Sequence, residues 1–363
     1  MSSVHRSRMD RARTRMHELG IDVLLVSLGA DLPYLTGYEA MPLERLTMLV
    51  LPGDRDATLV VPRLEAPRVE EQPDAFSIRA WDETEDPVSI VAALTGPVSL
   101  VAVGDQTWAR FVLDLQLALA QSAFTKASVV TGPLRAVKDV DEIAALQRAA
   151  HAVDAVALEM AQQRFAGRRE RDVAYEFIQK MYDAGHERAN FAIVASGPNA
   201  ASPHHEPGER VIQVGDVVVC DFGGRMRGYC SDITRTYVVE HGTSEFVAMF
   251  DVLAEAQAHA VSAVEPGVAC QEIDAVARRI ITDGGYGEFF IHRTGHGIGL
   301  EAHEDPYLVA GNDTKLEVGH VFSVEPGIYL PGRYGARIED IVVVTDEGPH
   351  SLNLAPHHAY VVG

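Results

Sequence analysis

The sequence predicts a two-domain protein, with an α/β domain at the N-terminus and an α+β domain at the C-terminus. Its 363 residues are too many for one ordinary hydrophobic core and are enough for two. In the first part of the chain, short apolar runs alternate with helical segments, which is typical of α/β domains. In the second part, pairs of strand-like runs lie between long amphipathic helices, which is typical of α+β domains. We place the N-terminal domain at residues 1–131, a linker at 132–138 and the C-terminal domain at 139–363.

The N-terminal domain is predicted to begin with an amphipathic helix that ends before Gly20. Four apolar residues share one face of this helix: Met9, Ala12, Met16 and Leu19. Apolar runs bounded by turn residues then predict strands in IDVLLVS, in the two halves of RLTMLVLPGDRDATLVVP, in FSIRAW and in SLVAVG. A helical segment from Thr107 to Ala120 follows the last of these strands.

The C-terminal domain is predicted to begin at a helix N-terminus. Gly132 and Pro133 interrupt the preceding pattern, and Asp139 and Glu142 have the Asp-x-x-Glu spacing of a capping box. Hydrophobic periodicity predicts helices at about residues 139–165, 170–184, 244–264 and 269–283. Apolar and alternating runs between them predict strands at about residues 189–196, 214–222, 227–239, 316–330 and 336–346.

Composition and charge argue against several functional classes. The formal net charge of −21 does not suit a nucleic-acid or anionic-membrane partner, which requires a basic face. No apolar run approaches the roughly 18 residues of a membrane-spanning helix, and residues 1–20 lack the apolar core of a signal peptide. The 3 cysteines include no Cys-x-x-Cys pair, which favours neither a disulfide framework nor a structural zinc site. We therefore expect buried thiols in a cytoplasmic protein.

The stretch VVVCDFGGRMRGYCSDITRT, residues 217–236, contains two aspartates in otherwise strand-like sequence. If it forms a symmetric hairpin, its midpoint falls between Met226 and Arg227, and Asp221 faces Asp232 across the two strands. Their Cβ atoms would then lie about 4.5–5.5 Å apart, so the two charges would repel each other. A shared proton, an arginine or a bound cation could compensate for this repulsion.

A second acidic pair favours the cation among these alternatives. VFSVEPGIYLPGRYGARIEDIVVV reads as another hairpin, with Glu325 on one arm, Glu339 on the other and the midpoint at Gly332. Three histidines lie between the two hairpins in the sequence: His292, His296 and His303. Carboxylates and imidazole together suit a pair of divalent ions such as manganese, cobalt, iron or zinc. Such a pair can ionise a shared water molecule and polarise a carbonyl group.

Four motifs follow one another along the chain: DFGGRMRGYCSDITRT, GHGIGLEAHE, SVEPGIYLPG and RIED. Together they resemble the signature of the pita-bread metallopeptidases (family M24), in the branch of Xaa-Pro dipeptidases (prolidases) and Xaa-Pro aminopeptidases (aminopeptidase P). The resemblance covers essentially the whole chain, because the N-terminal α/β region and LRAVKDVDEI are similar to the creatinase/prolidase layout. It implies a creatinase/prolidase-like α/β domain followed by an α+β pita-bread catalytic domain.

The resemblance further implies a dinuclear metal-dependent peptidase that hydrolyses the Xaa-Pro bond of dipeptides or short peptides through a metal-bridging hydroxide. It implies five metal ligands: Asp221, Asp232, His296, Glu325 and Glu339. Glu325 would also help to move the proton of the attacking water. His204 would act near the leaving group, His303 would steady the tetrahedral intermediate, and His292 would lie near the proline pocket.

Several residue assignments stay open. Arg337 lies two residues before Glu339, so we expect it to pair with acidic ligands or with a substrate carboxylate. An ordinary surface ion pair is the alternative. Tyr307 stands where some prolidases carry an arginine, which leaves dipeptidase and aminopeptidase activity both open. Thr234 is interpreted either as a residue that orients Asp232 or as an ordinary strand residue.

The function also has alternatives at this stage. The same scaffold could carry a non-peptidase hydrolase or lyase, as in creatinase, or a binding protein without catalysis. We expect two divalent ions, with manganese first and cobalt, zinc or iron as alternatives, and a small peptide substrate with proline after the scissile bond. The resemblance also implies a homodimer.

Overall fold

The structure, a computed structural model, describes residues 4–363. It divides into two compact units, one that ends at Arg135 and one that covers Ala136–Gly363. The boundary falls inside the segment 132–138 that the sequence predicts as a linker. Much of that segment is helical, because the last helix of the N-terminal part runs over Ser128–Ala136 with Pro133 inside it. Among the described residues, no helix combines the length and the apolar character that crossing a membrane requires.

The N-terminal unit has the predicted α/β architecture. Its helices are α1 (Val4–Leu19), α2 (Asp31–Thr36), α3 (Pro87–Thr95), α4 (Ala109–Ala118) and α5 (Ser128–Ala136). Its strands are β1 (Val23–Val26), β2 (Met48–Pro52), β3 (Ala57–Pro62), β4 (Phe76–Trp81), β5 (Leu100–Val103) and β6 (Ala123–Lys126). They form one sheet in the order β4-β3-β2-β1-β5-β6, with β1 antiparallel to β2 and parallel to β5.

The first helix buries most of its predicted apolar face. Met9, Ala12 and Met16 are fully buried, whereas Leu19 is 37% exposed. Leu19 is the last helical residue, and Gly20 follows with φ 66°, so the chain turns away at that point. The predicted helix and its end before Gly20 are therefore confirmed, and the apolar face is buried except at its final residue.

The C-terminal unit contains the predicted α+β arrangement. Its helices are α6 (Val140–Met160), α7 (Glu170–Asp183), α8 (Ser244–Ser262) and α9 (Cys270–Asp283). Its strands are β7 (Arg188–Ser196), β8 (Val217–Met226), β9 (Tyr229–Cys230), β10 (Ile233–Val239), β11 (Gly295–Gly297), β12 (Glu304–Leu308), β13 (Val321–Val324), β14 (Gly327–Leu330), β15 (Tyr334–Arg337), β16 (Asp340–Thr345), β17 (Gly348–Ser351) and β18 (Tyr360–Val362). The capping box predicted at the start of α6 is confirmed, since Asp139 and Glu142 exchange hydrogen bonds with each other's backbone amides.

Each helix pair of this unit covers one sheet. Helices α6 and α7 pack on the sheet ordered β18-β10-β8-β7 and bury a core that includes Phe177 and Phe222. Helices α8 and α9 contribute to a second core with β13 and β16, which includes Leu253 and Phe322. The second sheet has the order β12-β11-β13-β16-β17, and β14 pairs with β15 as a separate ribbon.

The long strands predicted from apolar runs are interrupted, and the interruptions carry acidic residues. Asp232 lies between β9 and β10, Glu325 between β13 and β14, and Glu339 between β15 and β16. A strand interior would keep each carboxylate in the regular alternation of the pleat. Where the ladder of hydrogen bonds is interrupted, the backbone can change direction. Acidic side chains from different strands can then point toward a common site.

Candidate active site

The first acidic hairpin differs from the predicted register. Asp221 on β8 pairs with Thr234 on β10, not with Asp232. The reason is a tight turn at Arg227 and Gly228, both with positive φ (50° and 87°), which moves the midpoint of the hairpin by one residue. The resulting shift of two residues in pairing keeps side chains on the same face of the sheet. The predicted direct opposition is therefore wrong, while the two carboxylates still meet on one side.

The second acidic hairpin has the predicted register. Val324 pairs with Asp340 in one ladder, and Gly327 pairs with Arg337 in the next. This common register places Glu325 opposite Glu339, and the turn at the end of the ribbon contains Gly332 with φ 74°. The predicted midpoint at Gly332 is confirmed by both ladders.

The two hairpins bring their carboxylates together around one histidine. One oxygen from each of Asp221, Asp232 and Glu339 lies within 4.8 Å of the other two. A ring nitrogen of His296 forms a similar cluster with Glu325 and Glu339. Its Nε2 atom is 3.2 Å from Oε1 of Glu325 and 3.8 Å from Oδ2 of Asp232. The five residues proposed from the resemblance as metal ligands thus form one contiguous group.

Hydrogen bonds from neighbouring side chains orient this group. Thr234 donates from Oγ1 to Oε2 of Glu339 over 2.6 Å, on the strand that follows Asp232. Ser323 donates from Oγ to Oε1 of Glu325 over 3.1 Å and accepts a bond from the backbone N–H of His296 over 3.0 Å. These contacts support the interpretation of Thr234 as an orienting residue, although the carboxylate that it holds is Glu339 rather than Asp232.

Arg337 is engaged with the acidic cluster. It is 2% exposed, and its Nη2 atom donates to Oδ2 of Asp221 in a close ion pair. Its Nε atom donates to Thr234 over 2.9 Å, and its Nη1 atom donates to the hydroxyl of Tyr329 over 2.7 Å. Of the two partners predicted for Arg337, the structure shows the acidic one. These contacts engage each of the three guanidinium nitrogens of Arg337.

Tyr329 is a site residue that the sequence reasoning missed. Its hydroxyl accepts from Arg337, and Nε2 of His292 lies 2.9 Å from the same oxygen. Burial raises the pKa of Tyr329 to about 12, so it remains a neutral phenol at physiological pH. The sequence contains a signal that could have identified Tyr329. It lies four residues after Glu325, in the same hairpin that carries the acidic pair.

Burial raises the pKa of two carboxyl groups in the cluster well above their usual values. At Asp232, the nearby charges of Glu339 and Asp221 add to this effect. At Glu339, the charges of Glu325 and Asp221 do the same. In the absence of a further positive charge, these carboxyl groups reduce their mutual repulsion by binding protons.

Burial also raises the pKa of Asp221, although the charge of Arg337 opposes this effect. Glu325 and His303 behave differently. Burial raises the pKa of Glu325, but the hydrogen bond and the charge of His296 outweigh it, and the pKa falls to about 2. Burial and then the charge of His296 lower the pKa of His303 to about 4. The His303 ring packs against His296 with 4.0 Å between the ring centroids. Glu325 is therefore an anion and His303 a neutral base at neutral pH.

An unpartnered oxygen shows that the cluster suits cations. Oδ1 of Asp221 is buried and, among the described residues, has no hydrogen-bond partner. A buried acceptor without a partner is unfavourable unless another group approaches it. Carboxylate oxygens and an imidazole nitrogen are suitable ligands for divalent transition ions. The residues present therefore fit a site for divalent cations, with Arg337 as the resident positive charge beside it.

The cluster opens onto a cavity of about 700 Å³. His204 and His303 are exposed and line this cavity, and His292 is half-buried in its wall. The structure thus brings together all the residues proposed as ligands, proton carriers or substrate contacts. Apolar side chains complete the lining: Phe191, Ile193, Pro203 and Ile291.

Glu170 is a second residue that the sequence reasoning missed. It is fully buried at the start of α7, and its carboxylate accepts from the backbone and side chain of Ser196. It also accepts from Asn199 over 3.0 Å and lies 2.8 Å from Nε2 of His205. His205, the neighbour of His204, thus anchors the loop that carries His204 into the cavity. An acidic residue at a helix start is too common to signal this role in the sequence.

Comparisons with known proteins agree with this architecture. Residues 144–346 match the sequence model of metallopeptidase family M24, and residues 8–137 match that of the creatinase/prolidase N-terminal domain. The chain is 41% identical to the "Probable dipeptidase PepE" of Mycobacterium tuberculosis over 99% of its own length and 97% of the relative's.

Two solved structures are similar over nearly the whole chain. The dipeptidase PepE of Mycobacterium ulcerans is 42% identical with a TM-score of 0.93, and the match covers 99% of this chain and 98% of that one. The prolidase of Thermococcus sibiricus is 36% identical with a TM-score of 0.94, and the match covers 100% of both chains. The predicted fold class, a creatinase/prolidase N-terminal domain followed by the catalytic domain of this family, is confirmed by these matches.

Proposed function

The chain belongs to metallopeptidase family M24, and on that premise we propose that it hydrolyses the peptide bond before proline in dipeptides or short peptides. The observation that carries the proposal is the buried cluster of four carboxylates and His296, which opens onto a cavity lined by further histidines. The names of related proteins support it, since one is a dipeptidase and another a prolidase.

The cluster would hold two divalent cations. The proposed ligands are Asp221, Asp232, His296, Glu325 and Glu339. When bound, such cations lower the pKa of a water molecule and polarise the carbonyl group of the scissile bond. Thr234 and Ser323 would keep Glu339 and Glu325 in a fixed orientation through the hydrogen bonds described above.

The protein's own groups would handle the protons. Glu325 is an anion at neutral pH and lines the cavity, so we assign to it the proton of the attacking water. The nitrogen of proline carries no hydrogen in a peptide bond and must gain one as it leaves. His204 is exposed to the same cavity and is the proposed donor or relay for that proton.

Two further groups would bind the reacting peptide. His303 is neutral and packs on His296, and we assign to it a hydrogen bond to the oxygen on which charge develops. His292 has both ring nitrogens engaged, one by the backbone oxygen of Arg293 and one by Tyr329. We therefore propose that His292 offers its ring surface, and not a donor, to the proline.

Finer properties belong to the same proposal. Carboxylate oxygens predominate among the proposed ligands, which suits manganese first and cobalt, zinc or iron as alternatives. The thiols of Cys220, Cys230 and Cys270 are buried and free, as expected of a protein that works in the cytoplasm. A homodimer is proposed from the family resemblance.

Replacement of the proposed ligands tests the function. We expect D232N and E339Q to lose both the tightly bound divalent ion and the hydrolysis of an Xaa-Pro dipeptide, because each removes a charge from the centre of the cluster. Metal analysis of the purified proteins and an assay with added manganese, followed by a chelator, measure the two properties. E288Q, a substitution at an exposed residue outside the cavity, is the matched control. Full activity in either site variant contradicts the proposal.

A further inference from the structure

A buried ion pair joins the start of the C-terminal unit to the strand that follows His303. Lys138 lies close to the beginning of that unit, and its Nζ atom donates to Oε1 of Glu304, the first residue of β12, over 2.7 Å. The side chains of Lys138 and Glu304 are only 1% and 7% exposed. A buried charge that loses its partner is strongly unfavourable, so the pair keeps the two segments together. Neither residue belongs to the proposed ligands or lines the cavity.

The backbone around Lys138 is fixed against the sheet that carries His296. Its N–H group donates to the backbone oxygen of Gly319 over 2.8 Å, and Val137 forms an antiparallel bridge with His320. A side chain at position 319 would place its Cβ atom 2.8 Å from the backbone oxygen of Lys138, which is too close, so the glycine permits this approach. His320 leads directly into β13, which pairs with β11, the strand of His296. Lys138 is thus held in place relative to that strand.

The loop between β11 and β12 packs against this ion pair and ends at His303. A Cβ atom at Gly299 would clash with Oε1 of Glu304 and lie 3.1 Å from Cε of Lys138, so the loop backbone is in contact with both charged side chains. The ring of His303 is exposed, and its centroid lies 4.0 Å from that of His296. In the described part of the chain, this ring has no hydrogen bond of its own. Its position therefore depends on the backbone that carries it.

We propose that Lys138 is a positioning residue of the active site: through Glu304 it fixes the loop that carries His303 and so holds the His303 ring against the ligand cluster. The inference rests on the proposed function, in which His303 donates to the oxygen on which charge develops. A donor of this kind must be in place before the charge forms, and small displacements of it are costly. Because the contact matters most in the transition state, its loss should lower kcat more than it raises KM.

A double substitution tests the proposal without leaving a buried charge unpaired. K138M/E304Q removes both charges and keeps side chains of similar size, so the protein should fold, and it should bind manganese normally because all the proposed ligands remain. We expect kcat for an Xaa-Pro dipeptide to fall by about 10- to 100-fold, with little change in KM. Amide hydrogens of residues 298–304 should exchange faster, while those of β8 and β10 stay protected.

Two further variants complete the comparison. E304D keeps the charge and shortens the side chain by one methylene group, so it should show the same changes to a smaller extent. If K138M/E304Q does not fold, E304D takes its place in every measurement. K180M removes a lysine that pairs with the exposed Glu159 and should keep the wild-type kcat.

Combination with H303A separates positioning from a general structural effect. If the ion pair acts through His303, K138M/E304Q should lower kcat by less than about twofold in a protein that already carries H303A. If the two losses instead multiply, or if the ion-pair variants keep the wild-type kcat, the assignment of Lys138 is wrong while the peptidase function stands. If the metal-loaded wild type cleaves no Xaa-Pro dipeptide, the proposed function and this inference both fail.

Discussion

At the scale of single residues, the site depends on a side chain that is not one of the proposed ligands. Thr234 is fully buried, donates to Glu339 and accepts from Nε of Arg337. One hydroxyl thus couples a proposed ligand to the positive charge that neutralises Asp221. Partners of this kind fix the orientation of a ligand, and their loss weakens metal binding even when every ligand remains.

Substitution of Thr234 measures that coupling. We expect T234V, which keeps the shape and removes the hydroxyl, to weaken binding of the divalent ion or lower activity by about 10- to 100-fold. T234S keeps the hydroxyl and should stay close to the wild type. Titration of the apoprotein with manganese against a competing chelator gives the affinity directly. Equal affinities in T234V and the wild type would show that the residue only fills space in the strand.

At the scale of elements, the loop after β7 is held by a single buried carboxylate. Glu170, at the start of α7, collects hydrogen bonds from Ser196, Asn199 and His205. His204 extends from this loop into the cavity. The position of the proposed proton carrier therefore depends on an interaction between a helix and a loop that contains none of the proposed metal ligands.

Removal of the His205 anchor should loosen this loop. We expect H205L to exchange amide hydrogens faster over residues 197–208, because a hydrogen bond to a charged group is lost. The turnover of an Xaa-Pro dipeptide should fall by about tenfold or more, since small displacements of a catalytic group are costly. H205Q, which can still donate to Glu170, is the comparison. Faster exchange with an unchanged kcat would show that His205 stabilises the loop but does not affect the rate of the reaction.

The registers of the two hairpins show what sequence patterns can predict about elements. Glu325 and Glu339 are opposed as predicted, because their turn is centred on Gly332. The Asp221 pairing was wrong by two residues, because the positive φ of Arg227 does not follow from its residue type. Strand alternation still predicted the shared face of the sheet, since a shift of two residues leaves that face unchanged.

At the scale of the whole molecule, the order of elements was more predictable than their long-range contacts. Periodicity and caps predicted the helices of the C-terminal unit closely, including the α6 capping box at Asp139. The interruptions of the strands at Asp232, Glu325 and Glu339 could not be predicted, because they depend on packing between hairpins about a hundred residues apart. Arg235 illustrates this, since it is fully buried and donates to the backbone oxygen of Glu339. No local pattern in the sequence distinguishes it from a surface arginine.

The pH dependence of folding is set in part by a histidine outside the cavity. His320 is 4% exposed, and its Nδ1 atom accepts a hydrogen bond from the backbone N–H of Glu317 over 3.1 Å. Burial, and then the charge of Lys138, lower the pKa of His320 to about 4. The unfolded chain takes up this proton near the ordinary pKa of about 6.5. Between these two values the unfolded state binds more protons than the native state, so the free energy of unfolding falls as the pH falls.

The prediction is that His320 contributes up to one proton to the pH dependence of unfolding between about pH 6.5 and pH 4. Above this range both states are neutral at this residue, and below it both are charged, so the contribution is confined to the interval. Denaturant unfolding of the wild type and of H320Q at several pH values should give a shallower dependence for the variant. NMR titration of labelled histidines, with H320Q to assign the signal, should place its midpoint near 4. A midpoint near 6.5 would mean that the buried ring accepts a proton without opening the structure around Glu317 and Lys138.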